Sequence, residues 1–388
     1  MLCDVVILGG GVVGASLALM LAELNYQVIV VEKKQESALT TDKEARTVAL
    51  SFASIHILES LGVWPQLQHK SVSIQEVAVS VAGRLGRSSL KASEQAVPFL
   101  GQVVAFAELE KVLFEKLATL ANAKVLRGAS LADFQVHQDA WDLTINAAEV
   151  IKTQARLLVA ADGIDSSIRQ ALAICVDKTD YGHFAILANV ERENAPSCTA
   201  IERFLPDGAI ALLPWRHNLS TCVFTVTNEK SAKLMAMTDK EYVMACQEAL
   251  GTRYGTLVGI GKRVGLPLTM QVASQQTSHR LLLMGNAAHS LHPIAAQGLN
   301  LSLRDIWQLK KQLTDAHNAQ ALGSKAFLET YLTARKGDQG RIIFATDKIA
   351  KYLSGGPLPM VLRALGVTLF DSFAPAKKWF TRYSMGLM

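Results

Sequence analysis

The stretch DVVILGGGVVGASLALMLAEL, Asp4–Leu24, decides the fold of this 388-residue chain. It combines a short β-branched run, a glycine-rich turn and an apolar segment with helical spacing. A second apolar run, Gln27–Val31, follows and ends at Glu32. This strand–turn–helix–strand order predicts the opening of a parallel sheet of the dinucleotide-binding type.

Three glycines and one acid in this unit have the spacing of a dinucleotide site. The motif Gly9-x-Gly11-x-x-Gly14 lies between strand and helix, and Glu32 follows 18 residues after Gly14. Glycine lets the backbone turn sharply and approach a pyrophosphate, whose charge the helix N-terminus stabilises. Glu32 is placed to accept hydrogen bonds from both ribose hydroxyls, and it would repel the 2′-phosphate of NADP. The motif alone does not separate FAD from NAD.

The composition excludes several other classes of protein. Half of the residues are apolar and 19% are charged, as in a globular enzyme, and the net charge of +5 comes from scattered basic residues, which predicts no nucleic-acid binding. Five cysteines stand apart without a CxxC pair, so neither a disulfide framework nor a zinc site is indicated. We find no signal peptide and no apolar run of about 18 residues, so we expect a cytoplasmic protein without a spanning helix.

The pattern of apolar residues changes twice along the rest of the chain. Segments between about residues 181 and 272 alternate as antiparallel strands, whereas Arg156–Ala161 and Arg280–Met284 read as buried parallel strands. Thr47–Leu61 and Gln297–Leu313 read as helices. We predict an α/β fold with an α+β insert: a discontinuous nucleotide domain (1–73, 100–178 and 276–340), an inserted substrate sheet (74–99 and 179–275) and a C-terminal helical segment (341–388).

Three further glycine- or histidine-containing segments need an interpretation. Asp162-Gly163 ends one parallel strand and enters a helix, which also describes an ordinary capped turn, the more frequent case. Gly259–Gly265 is glycine-rich too, but no helix or acid follows it, so we interpret it as a strand with close backbone packing. His289 and His292 have HxxH spacing in a non-helical loop without nearby acids, which argues against a metal site.

The segment Gly285–Asn300 is the third motif of the chain. It passes from a buried strand through a polar turn and Pro293 into a long helix. The dipole at such a helix start can stabilise negative charge on the edge of a flavin.

These motifs, in this order, resemble those of the FAD-dependent aromatic hydroxylases of the para-hydroxybenzoate hydroxylase fold. Within that group, the chain is most similar to the ubiquinone-biosynthesis hydroxylases. The similarity covers essentially the whole chain and is carried by Arg46–Ser51, Leu100–Val104, Ala188–Val190, Glu202–Phe204, Gly261–Arg263 and Gly285–Asp305.

The resemblance implies a non-covalently bound FAD. In the family pattern Asp162-Gly163 also serves NAD(P)H, Gly285-Asn286 binds the ribityl chain, and Pro293 forms a wall of the flavin ring site. The FAD residues that it implies are Gly9, Gly11, Gly14, Glu32, Arg46, Gln102, Asp162, Gly163, Gly285, Asn286, Pro293, Gly298, Leu299 and Asn300.

The chain departs from the family pattern at four positions. Asn286 stands in place of an aspartate, and Ala296 and Ser302 each replace a glycine, which would tighten the space near the flavin. Phe106 stands where related hydroxylases often have a polar FAD contact.

The resemblance also implies the reaction. NADH or NADPH reduces FAD, O2 forms a flavin C4a-hydroperoxide, and its distal oxygen attacks the ring of a polyprenylated phenol such as 2-polyprenyl-6-methoxyphenol. Phe204, Trp215 and Pro293 are the candidate pocket residues, although buried aromatic residues on strands are more often plain core. No acid–base residue is assigned, so the catalytic residues stay unknown. Two alternatives remain open: a prenyl-chain reductase on the same fold, and a non-catalytic flavoprotein that holds other ubiquinone-biosynthesis proteins together.

The C-terminal region has the composition of a membrane-surface segment. Pro357–Phe370 has one charge, Arg363, in fourteen residues, and aromatic and cationic residues follow between Phe373 and Tyr383. Such residues suit the boundary between headgroups and acyl chains. We therefore expect peripheral attachment to the inner membrane, with packing against the protein's own core or a partner as the equal alternative.

Overall fold

The computed structural model describes residues 2–35, 41–194, 198–315, 321–353 and 358–387. Its strands, β1 to β20, are Leu2–Leu8, Val28–Glu32, Thr47–Ser51, Val72–Ile74, Glu76–Val81, Arg87–Lys91, Gly101–Ala105, Ala123–Arg127, Ser130–Val136, Trp141–Asn146, Val150–Ala160, Val176–Glu193, Thr199–Leu205, Gly208–Pro214, Leu219–Thr227, Thr256–Ile260, Val264–Ala273, Thr277–Ser278, Leu281–Leu283 and His289–Ser290. Its helices, α1 to α10, are Val12–Glu23, Phe52–Ser60, Phe106–Leu117, Ser167–Ala171, Asn228–Ala236, Asp239–Leu250, Gln297–Leu313, Lys325–Leu353, Met360–Ser372 and Ala374–Ser384.

The nucleotide-binding half is built on a mostly parallel sheet. Its strand order is β18-β19-β11-β1-β2-β8, and the neighbours of β1, namely β2 and β11, run parallel to it. Val5, Val6 and Ile7 in β1 have no exposed surface, as expected for a parallel strand that is covered on both faces. Helix α1 is buried along most of its length and packs against α3 and α7.

A second, mostly antiparallel sheet has the order β20-β17-β12-β15-β14-β13-β5-β6. Because side chains alternate along a strand, neighbouring residues of β13 face opposite sides. Ile201 packs with Tyr242 and Leu250 of α6 in an apolar core on one face, whereas Ala200 and Glu202 lie on the other face and line a cavity. The two sheets confirm the predicted fold class. The domain boundaries stay a prediction, and α8 runs continuously across the predicted boundary at 340–341.

The prediction of one helix over Thr47–Leu61 was wrong for its first five residues. Thr47–Ser51 forms β3, which pairs antiparallel with β7 in a small third sheet. The helix begins only at Phe52, because the Ser51 hydroxyl accepts a hydrogen bond from the Ser54 backbone N–H (3.3 Å) as an N-cap. The short run Val48-Ala49-Leu50 suits a buried strand as well as a helix.

The C-terminal helices pack onto the second sheet. A Cβ atom on Gly86, in the β5–β6 turn, would lie 2.5 Å from the Cα of Ala364, so α9 approaches this turn closely. The Ser88 hydroxyl of β6 donates a hydrogen bond to Asp371 of α9 (2.9 Å). None of the described helices combines the length and the hydrophobicity needed to cross a bilayer.

Candidate active site

Of the three motif glycines in the turn between β1 and α1, Gly11 alone has open space where a side chain would lie. A Cβ atom on Gly9 would lie 2.4 Å from the Ala161 carbonyl oxygen, and one on Gly14 would lie 1.9 Å from the Gly9 carbonyl oxygen. A Cβ on Gly11, the N-cap of α1, would come no nearer than 3.9 Å to Glu110. Protein packing therefore explains Gly9 and Gly14, whereas Gly11 keeps space free in front of a helix N-terminus, where a pyrophosphate fits.

A cavity of about 660 Å³, here called the nucleotide cavity, opens at this turn. Glu32 lies on its wall, and its carboxylate accepts hydrogen bonds from the backbone N–H groups of Gly10 (2.6 Å) and Lys34 (2.8 Å). Each carboxylate oxygen retains acceptor capacity for a ribose hydroxyl. Phe106 also lines the cavity, and the exposed Arg46 guanidinium lies over its ring at 5.1 Å.

Asp162-Gly163 also lies on the wall of the nucleotide cavity, beside Gly9. Asp162 Oδ2 accepts hydrogen bonds from the backbone N–H (2.8 Å) and hydroxyl (3.0 Å) of Ser167, so the capped-turn interpretation holds. Asp162 Oδ1 is buried and has no hydrogen-bond partner within the described part of the chain. Gly163 has a φ of +94° and open space beside it. Buried acceptors are normally hydrogen-bonded, so a ligand that donates a hydrogen bond to this oxygen would satisfy it. The residues present therefore fit a bound dinucleotide.

The start of α7 is held in place by Asn300. Its side-chain amide donates to the carbonyl groups of Ala49 (3.0 Å) and Ala296 (2.6 Å), and its Oδ1 accepts from the Ser51 N–H (2.8 Å). Ala296, at the N-cap, has the left-handed φ of +50° and provides no side-chain cap. The first N–H groups of α7 therefore lack a side-chain cap, and the helix start can bind a negatively polarised ligand edge.

The other predicted FAD residues are distributed around these two helix starts. Gly285 has a φ of +61° that favours glycine, and Asn286 is exposed. Gly298 has open space beside it. Gln102 is buried, accepts a hydrogen bond from the Ser71 hydroxyl and lines neither of the two cavities described here.

A second cavity of about 560 Å³, here called the apolar cavity, lies between the antiparallel sheet, the start of α7 and the C-terminal helices. Phe204 and Pro293, two of the candidate pocket residues, lie on its wall. Trp215 is not among the residues that line it: its indole N–H donates to the Asp42 carbonyl (3.2 Å), and its ring packs in an apolar cluster that shares Leu90 and Ala200 with the cavity wall. Ser302 lies inside α7 and donates to the Gly298 carbonyl (3.0 Å), away from both cavities.

Two titratable residues on the wall of the apolar cavity were missed from the sequence. His292 accepts a hydrogen bond at Nδ1 from the Ile294 N–H (3.2 Å), and burial lowers its pKa to about 4, so it is neutral at pH 7. Glu202 lies on the facing sheet. The signal was present in Ala200-x-Glu202-x-Phe204, because period-two alternation places the acid on the same face as the two apolar residues.

Comparison with known proteins agrees with this geometry. The family described as "FAD binding domain" matches residues 2–342. Ubiquinone hydroxylase UbiL of Rhodospirillum rubrum is 31% identical over 99% of this chain and 90% of its own length. The 3-demethoxyubiquinol 3-hydroxylase of Escherichia coli is 29% identical over 99% of this chain and 98% of its own length.

A solved structure shows the same fold. The p-nitrophenol 4-monooxygenase PnpA of Pseudomonas putida superposes with a TM-score of 0.80 at 16% identity, covering 98% of this chain and 97% of its own. At 16% identity the match shows a shared fold and nothing further. NAD(P)H is the reductant typical of the family that matches residues 2–342. The family match and the near full-length similarity to UbiL together show that the chain belongs to the FAD-dependent hydroxylases of ubiquinone biosynthesis and is a flavoprotein aromatic hydroxylase.

Proposed function

We propose that this enzyme uses NAD(P)H and O2 to hydroxylate the ring of a polyprenylated phenol, 2-polyprenyl-6-methoxyphenol. The apolar cavity carries this proposal. In the part of the chain that the structure describes, its wall contains one acidic side chain, Glu202, and no lysine or arginine. A phenol that carries a carboxylate would need a buried cation there, whereas an isoprenoid tail suits the apolar wall. The names of the two relatives, which refer to ubiquinone and ubiquinol, support the same substrate class.

We infer that FAD lies along the line that joins the two helix starts. Gly9, Gly11 and Gly14 with the N-terminus of α1 would hold the pyrophosphate, Glu32 the ribose, and Asp162-Gly163 the middle of the cofactor. Gly298 and Leu299 at the start of α7 would hold the pyrimidine edge of the flavin, with Pro293 at the border of the apolar cavity. Arg46, Gly285, Asn286 and Asn300 complete the proposed set, Asn300 by fixing α7; Gln102 lines neither cavity and is not part of it. Bound FAD supplies the oxygen transfer, and the chain binds, orients and excludes water.

Substrate selectivity tests this assignment. We expect NAD(P)H oxidation to be slow without substrate and to accelerate with a methoxyphenol that bears an isoprenoid tail. Burial contributes roughly 0.8 kcal/mol per CH2 group, so one isoprenoid unit should lower KM by about tenfold or more relative to the tail-free phenol. Matched measurements on the same ring with a carboxylate in place of the tail provide the control. Better coupling with the carboxylated phenol would show that the substrate assignment is wrong.

We further propose that α9 attaches the enzyme peripherally to the inner membrane. One face of this helix packs inward: Arg363 is 2% exposed and donates to the Leu205 carbonyl (2.8 Å), and Gly366 and Val367 line the apolar cavity. Exposed large apolar side chains occur along the rest of α9 and directly after it: Val361, Leu362, Leu365, Leu369, Phe373 and Trp379. A helix between lipid and cavity would let the tail remain in lipid while the ring enters.

Point substitutions test this attachment better than truncation does. Ser354 and Pro357 lie outside the described residues, and removing the chain after Ser354 would also remove cavity-wall residues such as Val367. We expect Leu362→Gln, Leu365→Gln and Leu369→Gln together to weaken binding to anionic liposomes by about tenfold or more, with FAD retained, because these side chains are exposed. Val264→Gln with Leu266→Gln, two exposed apolar residues of β17, is the control. Liposome binding equal to that of the unmodified protein would refute the attachment.

A further inference from the structure

The apolar cavity contains one acid with no partner. Glu202 lies in β13 between Val79 of β5 and Ala211 of β14, and both of these neighbours also line the cavity. Within the described residues no hydrogen bond or ion pair reaches its carboxylate, and burial is the cause that raises its pKa, to about 8. Acids that serve only structure are paired when buried, because an unpaired buried charge is costly. An unpaired acid on a cavity wall instead indicates a ligand group that it binds.

We propose that Glu202 binds the hydroxyl of the phenol substrate and accepts its proton. This inference rests on the proposed function and adds the residue that activates the ring. The phenol O–H bond breaks, its electron pair stays on the ring oxygen, and a new O–H bond forms on the Glu202 carboxylate. One oxygen atom of O2 reaches the ring through the cofactor, NAD(P)H supplies the two electrons, and the second oxygen atom leaves as water. When the attacked ring carbon loses its hydrogen as a proton to water, the carboxyl returns its proton to the ring oxygen.

Formation of a phenolate at Glu202 would activate the ring for attack. Charge on the ring oxygen increases electron density at the ortho and para carbons, where an electrophilic oxygen attaches. A phenol ionises near pH 10, so a carboxylate whose affinity for protons is raised by burial is a better matched base than an exposed one. Anchoring the hydroxyl at the sheet also fixes which ring carbon faces Pro293 and the start of α7 across the cavity.

The other titratable groups near the cavity do not compete for this role. His292 is neutral and its Nδ1 is already an acceptor for Ile294. Ser88 and Leu90 of β6 point into the cavity, so by strand alternation Arg87 and Lys91 point to the opposite face. The charged groups on the other neighbouring elements have partners of their own: Asp371 with Lys377, Asp347 with Lys351, Glu76 with Ser89, and Arg363 with backbone carbonyls.

Glu202→Gln in the FAD-loaded enzyme tests the role, since glutamine keeps the shape of the side chain. We expect FAD and substrate still to bind, kcat for hydroxylation to fall by about a hundredfold or more, and NAD(P)H oxidation to continue without product. Wild-type kcat/KM should rise with pH through about 8 as the carboxylate ionises, whereas the variant should lack that rise. A ring-fluorinated substrate, which ionises more readily, should recover part of the lost rate, and so should Glu202→Asp. Glu193→Gln, an exposed acid at the end of β12, is the matched control.

The outcomes separate this inference from the proposed function. A Glu202→Gln enzyme that hydroxylates the prenylated phenol at the wild-type rate, with an unchanged pH profile, would overturn the role of Glu202 alone. A variant with reduced rate but the same pH profile and no recovery with the fluorinated ring would also overturn it, because that result describes a structural residue. A wild-type enzyme that does not hydroxylate any prenylated phenol would overturn the proposed function, and the role of Glu202 with it.

Discussion

Replacing Gly11 by leucine is expected to abolish FAD binding and leave the protein folded. A Cβ at this position has free space, since its nearest neighbour, Glu110, is 3.9 Å away, so the chain itself tolerates a side chain there. The side chain would instead occupy the path of the pyrophosphate in front of α1. We expect the wild-type protein to be purified yellow with non-covalent FAD and the variant to be colourless, with FAD affinity lowered by about a hundredfold or more, a loss of about 3 kcal/mol.

Two other glycines provide the controls for this substitution. Gly337→Leu, at an exposed position of α8 with open space around it, should retain FAD. Gly14→Leu should unfold the protein, because its Cβ would lie 1.9 Å from the Gly9 carbonyl oxygen. Circular dichroism and FAD titration distinguish these results. A folded Gly11→Leu protein that binds FAD as tightly as the wild type would refute the proposed pyrophosphate site.

Removing the carboxylate of Asp305 is expected to lower the stability of the protein strongly. Asp305, in α7, is 1% exposed and accepts hydrogen bonds from His289 Nε2 (2.9 Å), Arg335 Nε (2.6 Å) and Gln339 Nε2 (2.9 Å). Asp305→Ala leaves the Arg335 charge buried with one carboxylate fewer, which typically costs about 3–5 kcal/mol. Urea unfolding measures this loss. Glu329→Ala, which breaks the exposed ion pair with Lys325, should change stability by less than about 0.5 kcal/mol, and a similarly small effect at Asp305 would contradict the account.

The same residue predicts a pH dependence of stability. Burial acts to raise the pKa of Asp305, but the hydrogen bond and charge of His289 and the charge of Arg335 outweigh it, so the folded-state pKa lies below the usual value. A lowered folded-state pKa contributes stability that is fully present above the unfolded value of about 3.9 and is lost as the pH falls through the folded value. The free energy of unfolding of the wild type should therefore decrease more steeply below about pH 4 than that of Asp305→Ala. Parallel curves would contradict this.

The sequence was informative where local pattern and chemistry coincide. The glycine turn with Glu32, the helix Gln297–Leu313 and the alternation of the inserted sheet were all predictable, because short-range periodicity decides them. The run Val48–Leu50 was not, since a few apolar residues fit a strand or a helix equally well. Pairing with β7, distant in sequence, decides for the strand.

The contacts that the candidate site residues make depend on long-range packing. Asn300 was predicted as an FAD residue, and in the structure its polar atoms bind the backbone at Ala49, Ser51 and Ala296. Trp215 looked like a pocket residue and instead packs beside Asp42. Residues of α9 and α10 form part of the wall of the apolar cavity. This could not be predicted either, because a helical sequence pattern does not show which face of a sheet the helices cover.

Oxygen incorporation tests the central claim most directly. The FAD-loaded enzyme is incubated with NAD(P)H, a prenylated methoxyphenol and isotope-labelled O2, and the product is analysed by mass spectrometry. The account predicts one labelled oxygen atom on the aromatic ring for each NAD(P)H consumed in coupled turnover, with the tail unchanged. A product with a reduced tail and no label would identify a prenyl-chain reductase and contradict the account.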